Sequence, residues 1–248
     1  MKVLGVIPAR FASTRFPGKP LADIGGKSMI RRVYEQARQC PSLQQVVVAT
    51  DDRRIADHVT GFGGQAVLTG SGHQSGTDRC AEVARLLPEY DVYINIQGDE
   101  PFIDPGQITA VAACFGSAGT VLATLIKKVS SPEELMNPNT PKVVINSRSE
   151  AIYFSRTPIP YFRGLEPASW LSGHTYYKHI GIYGYRKDTL QQITGLPVSP
   201  LERTEALEQL RWIENGFSIR VAETAAETQA VDTPEDLERI RARFSHLF

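Results

Sequence analysis

The sequence predicts an α/β protein with a mostly parallel central sheet flanked by helices, and three observations support this fold class. Short apolar runs rich in Val and Ile alternate along the chain with amphipathic helical stretches. The runs are continuous in apolar character, which is typical of strands that are covered on both faces. With 248 residues, 42% of them hydrophobic, the chain is long enough to bury a full enzyme core.

The elements are justified in chain order. Strands are predicted in the β-rich segments 3–7, 46–49, 92–96 and 121–126. Residues 28–39 are predicted to be helical because apolar residues such as Ile30, Val33 and Ala37 recur on one face. Further helices are predicted over 52–59 and 77–87, and Pro88 ends the second of these.

The chain changes character after residue 137. Prolines at 138, 141, 158 and 160 separate two extended segments, 142–146 and 151–154, and a third extended run follows over 179–186. We interpret residues of about 140–190 as a smaller antiparallel insertion that forms a lid or a dimer interface. With no internal repeat to divide the chain, a single domain over 1–248 is preferred to two domains.

Two late helices carry recognisable start signals. Ser199-Pro200 and Thr233-Pro234 each place a capping hydroxyl before a proline at the first helical position. The first of these helices is predicted to run as far as Asn215-Gly216, where the glycine stops it.

The composition excludes several functional classes. The 27 basic and 27 acidic residues balance, which removes the main argument for a nucleic-acid partner or a polybasic membrane surface. No segment approaches the ~20 apolar residues that span a bilayer, and the first residues do not form a signal peptide. The three cysteines are odd in number and far apart, so neither a disulfide framework nor a zinc cluster is indicated. We therefore expect a cytoplasmic protein without membrane insertion.

A basic loop follows the first predicted strand. Arg10, Arg15 and Lys19 lie here with the hydroxyl of Ser13 and a glycine, a combination that suits a polyphosphate. A solvated basic loop is the alternative. The P-loop motif fails because Leu21 stands where its first glycine is needed, and no GxSxG motif is present.

Two aspartates are candidate ligands of a hard cation. Asp99 follows the strand predicted over 92–96, at the sheet edge where open α/β sheets bind ligands. Asp232 precedes the last predicted helix. Taken alone, each aspartate is better explained as a helix or turn cap, Asp232 more so than Asp99. If the two lie close together without a metal they repel, so we expect Asp→Asn at either position to leave the metal-free protein at least as stable.

Taken together, several segments resemble one family. They are PARFASTRFPGKPL, HQSGTDR, NIQGDEP, NPNTPKVV, YFSR, HIGIYGYR, SPLERTEALEQLRW and VDTPEDL. In this order they resemble the CMP-Kdo synthetases, the 3-deoxy-manno-octulosonate cytidylyltransferases of bacterial lipopolysaccharide synthesis, over nearly the whole chain. The basic loop and NIQGDEP are shared with related sugar nucleotidyltransferases, whereas HIGIYGYR, LEQLRW and HQSGTDR point to the Kdo enzyme.

The resemblance implies roles for individual residues. CTP is expected to contact Arg10, Ser13, Arg15, Lys19, His73, Gln74, Ser75 and Thr77. The sugar acid is expected to contact Arg79, Gln97, His179, Tyr183, Glu208 and Gln209. Asp99 and Asp232 are expected to hold Mg²⁺ and, with Lys19, to form the catalytic set. Singly, most of these residues also suit ordinary sheet, cap or helix-surface positions, so the joint pattern carries the assignment.

The implied activity is transfer of a cytidylyl group from CTP to Kdo by a homodimer. Two alternatives remain at this point. The chain could act on another sugar acid, such as a neuraminate or 8-amino-Kdo, or it could be a nucleotide-binding regulator without turnover. The presence of both aspartates and Lys19 argues against the second alternative.

Overall fold

In the computed structural model, which describes residues 1–12 and 16–244, nine of the strands form one continuous sheet. The strands are β1 (Val3–Ala9), β2 (Asp23–Ile24), β3 (Lys27–Ser28), β4 (Gln45–Thr50), β5 (Ala66–Leu68), β6 (Val92–Asn95), β7 (Leu122–Lys128), β8 (Lys142–Ile145), β9 (Ala151–Ser155), β10 (Tyr177–Arg186) and β11 (Ile219–Glu223). The short strands β2 and β3 pair with each other in a separate two-stranded sheet. All four strand segments predicted from the sequence are confirmed.

The main sheet is mostly parallel, as predicted. Its strands follow the order β11-β7-β10-β6-β1-β4-β5. The pairs β1–β4, β1–β6, β4–β5 and β7–β11 are parallel, whereas β10 runs antiparallel between β6 and β7. Strands β8 and β9 continue from β10 as an antiparallel extension of the same sheet.

Helices cover both faces of the sheet. They are α1 (Met29–Arg38), α2 (Arg53–Gly61), α3 (Gly76–Leu86), α4 (Pro105–Cys114), α5 (Pro132–Met136), α6 (Trp170–Gly173), α7 (Lys187–Thr194), α8 (Pro200–Glu205), α9 (Gln209–Glu214) and α10 (Pro234–Arg243), with 3-10 turns at Lys19–Leu21 and Pro167–Ser169. One core cluster packs α1, α2 and α4 on one face, and a second packs α3, α7 and α9 on the other. The two-sided cover explains why the strands read as continuous apolar runs.

Local capping chemistry fixes several helix starts. The Ser28 side chain accepts a hydrogen bond from the Arg31 backbone at the start of α1. Ser75, Ser199 and Thr233 each complete a capping box at the start of α3, α8 and α10. These side chains satisfy backbone N–H groups that the first helical turn leaves without partners.

Two predictions about the second half of the chain were wrong in detail. The run at 179–186 was assigned to the insertion, but β10 lies inside the main sheet, between β6 and β7. The insertion is therefore continuous with the central sheet. That the chain forms a single domain stays a prediction.

The helix predicted from Ser199 to Gly216 is two helices. Ala206 separates α8 from α9 in the left-handed conformation, with φ +51° and ψ +48°. Arg156, directly after β9, stabilises this break. Its Nε donates to the Glu205 carbonyl at 2.6 Å, and its Nη2 donates to the Ala206 carbonyl at 3.2 Å. The Glu205 carboxylate accepts a hydrogen bond from Ser155 Oγ at 2.7 Å. These tertiary contacts override the local helical pattern.

The break predicts a gain in stability for Ala206→Gly, because glycine adopts positive φ without the steric penalty that alanine carries. We expect the free energy of unfolding to rise by about 0.5–1 kcal/mol in urea titrations. The matched control is Ala110→Gly inside α4, which should lower stability by a similar amount. A loss of stability in Ala206→Gly as large as in the control would contradict the left-handed geometry.

Candidate active site

The candidate site lies at the carboxyl ends of β1 and β6. Strand β1 pairs in parallel with β6, so the chain leaves both strands at the same edge of the sheet. A Cβ atom at Gly98 would lie 2.7 Å from the carbonyl oxygen of Pro8. Glycine is therefore required where the segment after β6 crosses the end of β1, and this close approach sets the position of Asp99.

Lys19 lies at the centre of the site. Its Nζ donates to Asp99 Oδ2 at 2.8 Å and to the backbone carbonyl of Val231 at 2.9 Å, and it lies 3.7 Å from Asp232 Oδ1. Gly18, at φ +74°, closes the preceding loop through a 2.9 Å hydrogen bond from its N–H to the Phe11 carbonyl. The structure thus brings the three predicted catalytic residues together.

Neither aspartate serves as a helix cap. The cap of α4 is Asp104, and the cap of α10 is Thr233, whose hydroxyl accepts from the Asp236 backbone N–H. The Asp99 and Asp232 carboxylates are directed instead to the ammonium group of Lys19. The helix-cap alternative for these two residues is therefore wrong.

The donor set around Lys19 fits a magnesium ion. Two carboxylates approach one small positively charged group, as they would approach a hard cation. In the part of the chain that the structure describes, no group of three or more His, Cys, Asp or Glu residues forms a metal cluster. Mg²⁺ usually binds through one or two carboxylates and completes its shell with phosphate oxygens and water, so two aspartates suffice.

The predicted nucleotide segment is held between Arg10 and α3. Arg10 Nη2 donates to the carbonyl of His73, and His73 Nε2 pairs with the Glu82 carboxylate. Glu82 also accepts from the Gly70 backbone N–H at 2.9 Å, and the hydrogen bond to His73 lowers the pKa of Glu82. These contacts fix the backbone of 70–73 beside the basic loop.

The remaining predicted CTP residues differ in their surroundings. Gln74 is exposed, with its amide donating to the Gly72 carbonyl at 3.1 Å, whereas the Ser75 hydroxyl caps α3. Thr77 is buried, and its hydroxyl faces the other half of the site. Ser13 and Arg15 lie outside the described residues, so their contacts stay predictions.

Arg79 lies near Arg10 and Asp51. Its side chain is fully buried, lies 3.3 Å from Asp51 Oδ1 and donates to Thr69 Oγ1. Burial lowers the pKa of Arg79, and the positive charge of Arg10 acts in the same direction. Asp51 and Thr69 follow β4 and β5, on the far side of β1 from β10. The predicted contact of Arg79 with a sugar acid stays a prediction that this placement does not favour.

The predicted sugar-acid residues of β6 and β10 form a second group. Gln97 Nε2 donates to the Gly181 carbonyl at 2.6 Å, and His179 Nε2 lies 3.0 Å from Thr124 Oγ1. Burial lowers the pKa of His179 to about 4, so this imidazole is neutral at pH 7. Burial also raises the pKa of Tyr183, whose ring packs between His179 and Trp212.

Helix α9 adds the last two predicted residues. Glu208 lies immediately before the helix and accepts a hydrogen bond from Thr77 Oγ1 at 2.7 Å. Burial raises the pKa of Glu208. Gln209 is 4% exposed, and its Nε2 is buried without a hydrogen-bond partner among the described residues.

Three contacting residues were not singled out from the sequence: Asp51, Glu82 and Thr124. Asp51 directly follows β4, so the strand-end rule that selects Asp99 also selects Asp51. Glu82 lies inside α3 and Thr124 inside β7, where no local pattern distinguishes them from ordinary structural residues.

Comparison with known proteins identifies the family. A family model described as cytidylyltransferase matches residues 4–224. A 3-deoxy-manno-octulosonate cytidylyltransferase from Parabacteroides distasonis is 56% identical over 247 residues, covering 98% of each chain. One from Bacteroides thetaiotaomicron is 54% identical over 241 residues, covering 96% of each. The chain belongs to the 3-deoxy-manno-octulosonate cytidylyltransferase family.

Solved structures agree with this family. The structure of a CMP:2-keto-3-deoxy-manno-octonic acid synthetase complexed with CTP is 46% identical, with a TM-score of 0.92 and full coverage of both chains. A Leptospira borgpetersenii cytidylyltransferase is 16% identical with a TM-score of 0.65, which shows the shared fold alone. The predicted family, fold and nucleotidyltransferase class of this cytidylyltransferase are thus confirmed.

The position of Lys19 changes the expectation for the metal-free cytidylyltransferase. Because the Lys19 ammonium lies 2.8 Å from Asp99 and 3.7 Å from Asp232, its attraction offsets the repulsion between the two carboxylates, and Asp99→Asn weakens a charge-assisted hydrogen bond. We expect Asp99→Asn to lower the free energy of unfolding by about 1 kcal/mol in EDTA, and Asp232→Asn by at most about 0.5, since Asp232 is more exposed and farther from Nζ. Urea titrations measure both. Stabilisation by Asp99→Asn would show that repulsion dominates.

Proposed function

We propose that this cytidylyltransferase transfers the cytidylyl group of CTP to the anomeric 2-hydroxyl of Kdo and releases pyrophosphate, supplying CMP-Kdo for lipopolysaccharide synthesis. Full-length identity of 56% to a 3-deoxy-manno-octulosonate cytidylyltransferase is the observation that carries this proposal. The arrangement of the site supports it, because Lys19 contacts both aspartates and Arg10, from the same loop, contacts the predicted nucleotide segment at His73.

The reaction is a single displacement at phosphorus. The 2-hydroxyl oxygen of the sugar acid forms a bond to the α-phosphorus of CTP, and the bond from that phosphorus to the oxygen bridging to the β-phosphate breaks. Pyrophosphate leaves with the electron pair, and the hydroxyl proton passes to solvent. Positioning and charge neutralisation supply most of the catalysis in such transfers.

The chain's own residues provide both the positioning and the charge neutralisation. Lys19, only 15% exposed, would neutralise the phosphate oxygens of the leaving pyrophosphate, and Arg10 would add a second cation at the predicted nucleotide segment. His179 is neutral at pH 7, which suits a hydrogen-bonding rather than a charged role toward the sugar acid. Bound at Asp99 and Asp232, Mg²⁺ would supply Lewis-acid neutralisation of phosphate charge.

We also propose a cytoplasmic homodimer that buries part of the 140–190 segment. Ile152 and Tyr161 are 54% and 75% exposed there, and a cavity of about 230 Å³ lies between β8 and the start of β10. Exposed apolar side chains on one segment of a protein surface favour an interface there. Among the residues described, no helix is long and apolar enough to cross a membrane.

The function is tested by pyrophosphate release with Mg²⁺, in which CTP, UTP, ATP and GTP are each paired with Kdo, 8-amino-Kdo or a neuraminate. Each pair is compared with the nucleotide alone. We expect turnover with CTP and Kdo to exceed every other pair by at least about 100-fold, because unpaired polar groups reject a wrong base strongly. Faster turnover of another sugar acid, or equal turnover of UTP, would contradict the proposal.

The metal role predicts different effects for the two aspartates. Asp99→Asn should reduce turnover by at least about 1,000-fold, because Asn keeps the shape but removes the charge that binds a hard cation. Asp232→Asn, at the more exposed position, should raise the Mg²⁺ concentration needed for half-maximal rate by about tenfold. Measuring the rate of each variant as a function of Mg²⁺ concentration tests both expectations. The matched control is Asp104→Asn, which changes only the cap of α4 and should behave as wild type.

A further inference from the structure

A buried hydrogen-bond cluster joins the start of α3 to the start of α9. Thr77, 2% exposed, donates its hydroxyl to Glu208 Oε2 at 2.7 Å. The Tyr185 hydroxyl, on β10, lies 3.3 Å from the same Thr77 oxygen. The Ser75 side chain, from the same predicted nucleotide segment, also hydrogen-bonds Glu208, so two hydroxyl groups at the start of α3 contact this carboxylate.

The Thr77 hydroxyl therefore faces Glu208 and Tyr185. A threonine hydroxyl has a single hydrogen to donate, and a donation to a carboxylate at 2.7 Å is a strong, charge-assisted bond. With Oγ1 buried against Glu208 and Tyr185, it does not face the exposed nucleotide segment around Gln74. This differs from the CTP contact that the resemblance implies for Thr77.

We infer, resting on the proposed function, that Thr77 is a positioning residue that fixes the Glu208 carboxylate to accept hydroxyl groups of the sugar acid. A free glutamate side chain samples many rotamers, and ordering it on substrate binding would weaken binding. Thr77 removes that freedom in advance. Thr77 also belongs to the first turn of α3, directly after the predicted nucleotide segment. Its bond to Glu208 therefore fixes the distance between that segment and the predicted sugar-acid residues.

The pKa of Glu208 gives a second quantity that the inference predicts. Burial raises its pKa and the nearby Asp78 carboxylate acts in the same direction, whereas the bonds from Thr77 and Ser75 and the Arg211 charge lower it. Tyr183, Tyr185 and Cys80 also surround it, and all three stay neutral at pH 7 because burial raises their pKa values. Loss of the Thr77 bond therefore moves the pKa of Glu208 upward. The acid limb of kcat/KM for the sugar acid should move to higher pH.

The test compares Thr77→Val, Thr77→Ala and Thr77→Ser with wild type, and uses Thr189→Val as the matched control. Thr189 is a buried threonine on α7, which follows the end of β10 opposite the site. For each variant we measure Tm, the Kd of CTP by calorimetry, and kcat/KM for Kdo across pH. We expect both hydroxyl-free variants to lose about tenfold or more in kcat/KM for Kdo, with the CTP Kd within about twofold of wild type. Thr77→Ser should restore the rate and the pH profile.

The outcomes separate the inference from the proposed function. A weaker CTP Kd with an unchanged KM for Kdo would assign Thr77 to the nucleotide and overturn the inference. The same would follow if Thr77→Val matched Thr189→Val, or if Thr77→Ser failed to restore the pH profile. No turnover by wild type with any sugar acid would refute the proposed function, and the inference with it. The two hydroxyl-free variants differ in size, so a folding defect in one leaves the other to decide.

Discussion

The ammonium group of Lys19 holds together the parts of the chain on which the site depends. It joins residue 19 to Asp99, eighty positions later, and to the carbonyl of Val231 near the end of the chain. The segment 224–232 forms neither a helix nor a strand, so its position rests on such individual contacts. The Val231 N–H donates to the Asp99 carbonyl at 2.9 Å, and Thr228 donates to Glu100 at 2.5 Å. A cation and two carboxylates thus organise the site electrostatically before any substrate binds.

The two halves of the site are built differently around this centre. In the half predicted to bind the nucleotide, Arg10 and Glu82 form hydrogen bonds with the backbone carbonyl and N–H groups of one loop. The half predicted to bind the sugar acid consists of largely buried side chains on β10 and α9, among them Tyr183 and Gln209. Backbone contacts suit a ligand whose phosphates and base edge are recognised in extended form. Mixed donors and acceptors suit a polyhydroxylated ring.

Local chemistry in the sequence was enough to predict four strands of the main sheet, the starts of α8 and α10 and the fold class. The capping boxes at Ser199 and Thr233 involve residues three positions apart, so they are visible in the sequence. The break at Ala206 was missed because Arg156 and Ser155, about fifty positions away, stabilise it. The place of β10 was missed because strand order follows from long-range pairing rather than from local pattern.

The same distinction applies to the candidate site. Asp99 was predictable because it ends a strand, and Lys19 and Asp232 became convincing only together with the family resemblance. In the structure Arg79 pairs with Asp51, and Thr77 donates to Glu208. Neither contact can be predicted from the residue type alone. Helix periodicity places both residues on α3 but does not state which neighbour each one meets.

The central position of β10 has a consequence for how the chain acquires its structure. Strands β6 and β7 are adjacent in order of synthesis but not in space, and both pair with β10. A nascent chain that ends before residue 177 therefore carries two open strand edges that cannot be satisfied by each other in the native register. The gap between them closes only when β10 emerges and enters it, late in translation, and the edge strand β11 then follows. During that interval the unfinished chain exposes apolar strand edges that can aggregate. Its yield in the cell therefore depends on how quickly β10 is synthesised, or on chaperones that bind the open strand edges.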